Sequence, residues 1–123
     1  MASFMNRLTF AVLAGFCATA AIGQTAVTAR GGVVRWLDKV SGETGDLELS
    51  RGQSAQNGRL TIQLDECRFP SDEGPSEAYA HLTILDRLMD EPVFSGWMIA
   101  ISPALSAMDH SRYDVWILRC LTD

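Results

Sequence analysis

Short segments in which polar and apolar residues alternate recur along the chain at intervals of about ten residues. Leu60, Ile62 and Leu64 alternate with polar residues, and the segment Ala80–Ile84 repeats the pattern. A period of two is typical of a strand with one buried face. The intervals leave no room for crossover helices. The sequence therefore predicts an all-β fold, a small antiparallel β-sandwich or barrel of six to seven strands.

Four further segments complete the predicted strands. They are Val33–Val40, Asp46–Leu49, Val93–Ile101 and Tyr113–Leu121. The third is apolar throughout most of its length, which predicts burial on both faces, and the last has apolar residues on both sides, which predicts a central strand. Between them, Ser102 and Pro103 predict one short helix, with the serine as N-cap and with Leu105 and Met108 on one face.

The first 23 residues have the three-part composition of a secretory signal peptide. Met1–Arg7 has one basic residue and no acidic one, an apolar run of about 14 residues follows, and Ala21 and Gly23 are small. A permanent anchor is the alternative, but the run is shorter than the roughly 18 residues that a membrane span needs. We expect cleavage after Gly23, periplasmic localisation without a transmembrane anchor, a flexible lead over residues 24–31 and one β domain over residues 32–123.

Cleavage removes Cys17 and leaves two cysteines, Cys67 and Cys120. Two thiols in an oxidising compartment usually pair, so we expect one disulfide that closes a loop of about 54 residues and stabilises the fold by roughly 4 kcal/mol. Two separate buried thiols are the alternative. Because Cys67 has the parity of the exposed strand face, either a bulge near Asp65 and Glu66 resets the register or the chain turns inward past the strand end.

Charge and composition argue against several classes of partner and cofactor. The chain carries a net charge of −5, and loss of Arg7 would leave nine basic and fifteen acidic residues, or −6. Since the basic residues are scattered and Lys39 is the one lysine, we expect binding neither to nucleic acid nor to an anionic membrane surface. No second cysteine or histidine stands at ligand spacing, so we expect no metal and no cofactor.

Three blocks of sequence resemble a bacterial family catalogued as domain of unknown function 2155. They are Leu37–Val40 with Gly42, Gly58–Thr61 leading to Cys67, and Phe94–Met98 with Ser102–Leu105, His110 and Tyr113–Trp116 continuing through Cys120. The Tyr-Asp-Val-Trp block is the specific one, whereas Ser111 departs from the pattern because a proline is expected after the histidine. The resemblance implies an exported protein of alphaproteobacteria, and it implies no activity.

One cluster has the residue types that acid–base chemistry requires. His110 lies beside Asp109 and near Tyr113 and Asp114, and a histidine with neighbouring carboxylates can transfer protons. The alternative is a loop histidine that holds the connection before the last strand by hydrogen bonds to the backbone. The sequence lacks the motifs of serine hydrolases, zinc proteases and phosphate-binding loops. We therefore name no catalytic residue, and the sequence does not favour an enzyme.

Other polar and aromatic residues have simpler interpretations. His81 lies on a polar strand face and is expected to be exposed. Asp65 and Glu66 are adjacent, so on a strand they are expected to point to opposite faces and not to share a site. The three tryptophans, Trp36, Trp97 and Trp116, have the flat faces that line carbohydrate or peptide grooves, but in so small a domain we expect at least two of them to pack against the core.

Three functions remain. The first is a small binding or accessory module for another cell-envelope protein or membrane complex, which predicts an exposed aromatic patch and an affinity that depends on Trp97 or Tyr113. The second is a carbohydrate- or peptide-binding domain or an enzyme around Asp109 and His110, which requires a cleft joining them to an exposed tryptophan. The third is a purely structural envelope protein. The candidate site comprises Trp97, Asp109, His110, Tyr113 and Asp114.

Overall fold

The computed structural model describes residues 14–15 and 25–122, and the described residues form eight strands and one turn of 3-10 helix. The strands are β1 (Ala26–Thr28), β2 (Gly31–Asp38), β3 (Thr44–Ser50), β4 (Ser54–Asn57), β5 (Leu60–Pro70), β6 (Tyr79–Asp86), β7 (Phe94–Ile99) and β8 (Tyr113–Leu121), and the 3-10 helix is Pro103–Leu105. The predicted signal peptide, residues 1–23, lies outside the described residues except for positions 14 and 15. Among the described residues, no helix has the length and apolar character needed to span a bilayer.

All strand pairs are antiparallel, and they form two sheets. The larger sheet has the order β1-β5-β6-β7, with β4 also paired to β5, and the smaller sheet has the order β3-β2-β8. Strands β2 and β8 pack on β5 and β6, so the sheets lie face to face, and they do not close into a barrel. The predicted all-β antiparallel sandwich is confirmed.

The residues that alternate in the sequence fill the space between the two sheets. The core includes Leu60, Ile62 and Leu64 of β5, Leu82 and Ile84 of β6, Val34 of β2, Leu49 of β3, and Val115 and Ile117 of β8. Burial of each such side chain stabilises the fold by about 1.5 to 3 kcal/mol. The inward faces of five strands therefore account for the sandwich.

Strands β1 and β4 are additional to the six segments that the alternation predicts. The segment predicted as a flexible lead contains β1, which pairs with the end of β5 and packs Val27 against the core. Strand β4 pairs with the start of β5, and Ala55 is its contribution to the core. With one core residue each, these strands leave no detectable alternation in the sequence. Among the described residues, strand pairing thus begins at Ala26.

Two register shifts bring the cysteines to the inner face. The pairing of β5 with β6 shifts around Asp65, which confirms the bulge among the two alternatives for Cys67. A second shift lies around Leu118, where β8 pairs with β2, and it turns the Cys120 side chain to the inner face. The Cys67 and Cys120 sulfurs lie at disulfide distance, with their Cα atoms 5.7 Å apart. The pair therefore links β5 of the larger sheet to β8 of the smaller one.

Strands β7 and β8 are both edge strands. The prediction that Val93–Ile101 is buried on both faces is wrong, because Ser95 and Trp97 on its outer face are exposed. The prediction that the last strand is central is also wrong, because β8 pairs with β2 alone among the described strands. Its outward-facing Trp116 is half-buried and lies near Pro103 and Ala104 of the connection from β7.

The predicted short helix forms as a single 3-10 turn. Ser102 makes no side-chain cap, and its carbonyl accepts the N–H of Leu105 at 3.1 Å. Leu105 is 76% exposed whereas Met108 is buried, so the two side chains do not share a face. The reason is length, since the helix ends before a second turn brings Met108 into line with Leu105.

Replacing both cysteines, Cys67→Ala with Cys120→Ala, is expected to lower the free energy of unfolding by roughly 4 kcal/mol, because the link between the sheets is lost. Urea unfolding followed by tryptophan fluorescence measures this difference, with the reduced wild-type protein as the matched control. A double variant as stable as the oxidised wild type would contradict the expected role of the link.

Candidate functional site

His110 is buried at one end of the sandwich, and both of its ring nitrogens are engaged. Its side chain is 1% exposed, and Nε2 lies 2.9 Å from Oδ2 of Asp86. Nδ1 accepts the backbone N–H groups of Arg112 at 3.0 Å and of Tyr113 at 3.1 Å. Because these N–H groups only donate, the geometry assigns the proton to Nε2, which donates to Asp86. Of the two alternatives for His110, this geometry agrees with a loop histidine that holds the backbone by hydrogen bonds and not with an acid–base group.

Asp86 ends β6 on the inner face, and its side chain is fully buried. One carboxylate oxygen accepts the backbone N–H of Leu88 at 3.0 Å, and the other is shared by His110 and by Nη2 of Arg59 at 2.7 Å. The hydrogen bond from the Leu88 N–H contributes most to holding the pKa of Asp86 well below its usual value, and the hydrogen bonds from His110 and Arg59 add to it. Burial opposes ionisation but does not outweigh them. Asp86 is therefore a paired and hydrogen-bonded buried anion.

Tyr113 is buried, and two arginines lie near its ring. The guanidinium carbons of Arg112 and Arg59 lie 5.2 Å and 5.8 Å from the centre of its ring, and its hydroxyl accepts the backbone N–H of Arg59 at 3.4 Å. A Cβ added to Gly58 would lie 2.5 Å from the Tyr113 hydroxyl, at a φ of +57°. The turn before β5 thus needs glycine both for its conformation and for contact with the tyrosine.

Asp38 at the end of β2 completes this group. Nη2 of Arg112 lies 3.1 Å from its Oδ2, and the N–H groups of Val40 and Ser41 also donate to its carboxylate. The hydrogen bond from Arg112 contributes most to lowering the pKa of Asp38 to about 2, and the two N–H groups add to it. Burial has the opposite effect but is outweighed. Lys39 donates from Nζ to the carbonyl of His110 at 2.6 Å.

We call this group the His110 network; its members are Asp38, Arg59, Asp86, His110, Arg112 and Tyr113. It joins the ends of β2 and β6 to the start of β8 and to the turn before β5. All of the hydrogen-bonding capacity of the imidazole is used inside the network, so the arrangement supports folding and leaves no ring nitrogen for a substrate.

Trp97 lies on the solvent-facing surface of the larger sheet, on the side away from the core, and is 38% exposed. Its ring centre lies 5.3 Å from that of His81 and 5.8 Å from that of Tyr79, and the guanidinium carbon of Arg68 lies 5.3 Å from its ring centre. The other two tryptophans, Trp36 and Trp116, are half-buried and pack against the core as expected. Trp97 is thus the most exposed of the three tryptophans.

The bulge at Asp65 organises the polar groups beside Trp97. Asp65 accepts from Thr83 and from His81 Nδ1, both at 2.7 Å, and from Gln63 at 2.8 Å. Partial burial opposes ionisation, but these three hydrogen bonds together outweigh it and hold the pKa of Asp65 below its usual value. Glu66 pairs with Arg68 at 2.6 Å on the same surface. The expectation that Asp65 and Glu66 point to opposite faces is therefore wrong, because the bulge breaks the alternation.

We call this surface the Trp97 face; its members are Asp65, Arg68, Tyr79, His81, Thr83 and Trp97. The alternation in β6 places Tyr79, His81 and Thr83 on one side, and this much can be read from the sequence. The contributions of β5 and β7 could not be read, because they depend on strand order and on the bulge.

The structure does not bring the predicted site residues together. Along β6, His81 points outward to Trp97 whereas Asp86 points inward to His110, so Trp97 and His110 lie on opposite faces of one strand. Tyr113 is buried and Asp109 is exposed. The cleft that a site around Asp109 and His110 would require is therefore not formed by these residues.

Asp114 lies elsewhere, at a groove of about 280 Å³ between the edge strands β7 and β8. The lining of the groove includes Met98, Ile99, Pro103, Ala104, Asp114 and Trp116. One carboxylate oxygen of Asp114 accepts the N–H of Val115 at 2.9 Å. In the part of the chain that the structure describes, no group of three or more histidine, cysteine or acidic residues is arranged to hold a metal ion.

A family model described as "Uncharacterized protein conserved in bacteria (DUF2155)" matches residues 32–120. The chain belongs to this family. The match extends from β2 into β8 and contains both the His110 network and the Trp97 face, so the resemblance carried by the sequence blocks is confirmed.

One curated relative of this DUF2155 chain is "Uncharacterized protein RP359" of Rickettsia prowazekii (strain Madrid E). The two are 28% identical over 87 residues, which is 68% of this chain and 56% of the relative. The chain therefore spans little more than half the length of that protein. No solved structure matches the chain.

The substitution Asp86→Ala is expected to lower the free energy of unfolding by about 3 to 5 kcal/mol, because it leaves buried donors of His110 and Arg59 without their acceptor. Denaturant unfolding measures the loss. The matched control is Asp109→Ala, an exposed acid next to His110 in the connection between β7 and β8, which is expected to change stability by less than about 0.5 kcal/mol. Equal effects of the two substitutions would show that the network is not stabilising.

Acid is expected to destabilise the fold between about pH 4 and about pH 2. A carboxylate whose folded pKa is lowered stabilises the fold above its unfolded pKa of about 3.9, and this contribution is lost as the pH falls through the folded value, which for Asp38 is about 2. Thermal unfolding measured across this range tests it. The variant Asp38→Asn is expected to show a shallower dependence, and an unchanged slope would contradict the assignment.

Proposed function

We propose that this protein is exported and acts outside the cytoplasm as a small binding module for another protein of the cell envelope, with the Trp97 face as its contact surface. The single observation that carries the proposal is the exposed Trp97 ring, grouped with Tyr79, His81 and Arg68 on the solvent side of the larger sheet. The signal-like first 23 residues and the cysteine pair at disulfide distance support the compartment.

The chemistry of the Trp97 face favours a protein partner. Tryptophan, tyrosine and arginine are the residue types that dominate the energy of protein–protein interfaces. Arg68 lies over the Trp97 ring, and the Asp65 carboxylate is already engaged by three side chains. A sugar would need an uncovered aromatic face and free hydrogen-bonding groups, so the face is less suited to carbohydrate.

The surroundings of His110, around which the sequence suggested acid–base chemistry, also support a binding role. His110 donates from Nε2 and accepts at Nδ1 within the His110 network. Its ring is buried, so a reacting group has no access to it in this conformation. His81 is oriented by Asp65, but no described hydroxyl or thiol hydrogen-bonds to its Nε2, so the pairing of nucleophile and base that covalent catalysis uses is not built there.

The test is affinity capture of the tagged protein from cells treated with a crosslinker. A specific envelope protein retained by the wild type is expected to be lost with Trp97→Ala, because truncating a central interface tryptophan costs about 2 kcal/mol or more, about thirtyfold in Kd. The control is Val40→Ala, an exposed apolar residue at the β2–β3 turn, which is expected to retain the partner.

Two results would count against the proposal. Equal capture by Trp97→Ala and the wild type would place the contact surface elsewhere. Retention by the wild type of peptidoglycan fragments in place of a protein would identify the Trp97 face as a carbohydrate-binding surface.

A further inference from the structure

Strand β7 has an unpaired edge. Among the described strands it pairs with β6 alone. The N–H of Ala100, just beyond β7, donates to the carbonyl of Ala78 at 2.9 Å. Because hydrogen-bonded and non-hydrogen-bonded pairs alternate in an antiparallel ladder, the backbone groups of Ser95 and Trp97 point away from β6. No described strand pairs with them. The edge therefore presents N–H and C=O groups in the arrangement that an additional strand requires.

This edge also lacks the features that normally block strand addition. Residues Phe94–Ile99 include no charged residue and no proline. On β8, in contrast, the Asp114 carboxylate lies on the strand's edge and takes up the N–H of Val115. The edge strand β3 carries the acids Asp46 and Glu48. The edge strands β1 and β4 are also uncharged, but they have only three and four residues. An uncharged edge of six residues, as in β7, is typical of a site for a partner strand.

The apolar groove adjoins the same edge. Met98 and Ile99 of β7 form one wall, Trp116 of β8 forms part of another, and Pro103 and Ala104 lie between them. Side chains of a strand alternate between the two faces of a sheet. Every second side chain of a strand added to β7 would therefore face the groove, and the others would extend the Trp97 face.

We propose that the free edge of β7 binds an extended segment of a partner protein by strand addition, with apolar side chains in the groove and a basic side chain at Asp114. The inference rests on the proposed function, since it names how the partner is held and what chemistry its segment has. Main-chain hydrogen bonds supply affinity in such complexes, and pockets for alternate side chains supply specificity.

Charge complementarity decides between a partner segment and a second copy of this chain. The second carboxylate oxygen of Asp114 has no hydrogen-bond partner among the described residues, and no described cation pairs with it. The chain carries a net charge of −5. Two copies joined through β7 would bring like charges together, whereas a lysine or arginine would pair with Asp114 at the groove.

The experiment selects a phage-displayed library of random peptides on the purified protein and measures the enriched peptides by fluorescence polarisation. The expected peptides have apolar residues at alternate positions and one lysine or arginine. Ser95→Pro removes an outward N–H without removing a bond to β6, and Ser95→Ala, which keeps that N–H, is the matched control. Affinity is expected to fall about tenfold or more in the proline variant relative to the alanine variant.

Two further comparisons keep the test decisive if Ser95→Pro does not fold. Two peptides, each N-methylated at one of the two sets of alternate backbone nitrogens, are compared on the wild-type protein. The peptide methylated on the set that faces β7 is expected to lose binding, because it cannot donate to β7, and the other is expected to keep it. Asp114→Asn keeps an acceptor for the N–H of Val115 but removes the negative charge. It is therefore expected to lower the affinity for a lysine-containing peptide several-fold, and to leave unchanged the affinity for the same peptide with glutamine in place of the lysine.

Binding that N-methylation does not affect, or the absence of enriched peptides, would overturn the inference. So would a wild-type dimer, seen by light scattering, that Ser95→Pro converts to monomer, because the occupant would then be a second copy. A crosslinked envelope partner that Ser95→Pro retains and Trp97→Ala loses would overturn strand addition while leaving the proposed function in place.

Discussion

The link between Cys67 and Cys120 joins the two sheets, and the rest of the sandwich depends on the geometry that permits it. Each cysteine follows a register shift, at Asp65 in β5 and at Leu118 in β8, without which its side chain would face solvent. A domain of this size buries a limited core, so a covalent connection between its layers is a large part of its stability. The bulge at Asp65 has a second effect, since it also assembles the polar side of the Trp97 face.

The His110 network fastens the opposite end of the same strands. Strands β5 and β8 run from this network, where Arg59 and Tyr113 meet, to the cysteine pair at their other ends. The sandwich is thus held covalently at one end and by buried ions and hydrogen bonds at the other. A buried charge is tolerated only when it is paired and hydrogen-bonded, and Asp86 meets this condition through Leu88, His110 and Arg59.

The two surfaces that we propose as contacts for a partner adjoin each other. The Trp97 face covers the solvent side of the larger sheet, and the free edge of β7 borders it. The groove continues from that edge towards β8. A ligand on β7 would therefore contact an aromatic surface, unpaired backbone groups and an apolar groove, three kinds of interaction that a short extended polypeptide can satisfy together.

The sequence by itself determined the strands of the core, the cysteine pair and the family, because alternation and composition act locally. It also identified Trp97 and His110, but it placed them in one site. Only the tertiary structure decided that His110 is a buried hydrogen-bonding residue, that β7 and β8 are edges and that Asp65 lies beside His81. These depend on strand order and on two bulges, each of which reverses the face of every later residue in its strand, and neither is encoded in the local pattern of polar and apolar residues.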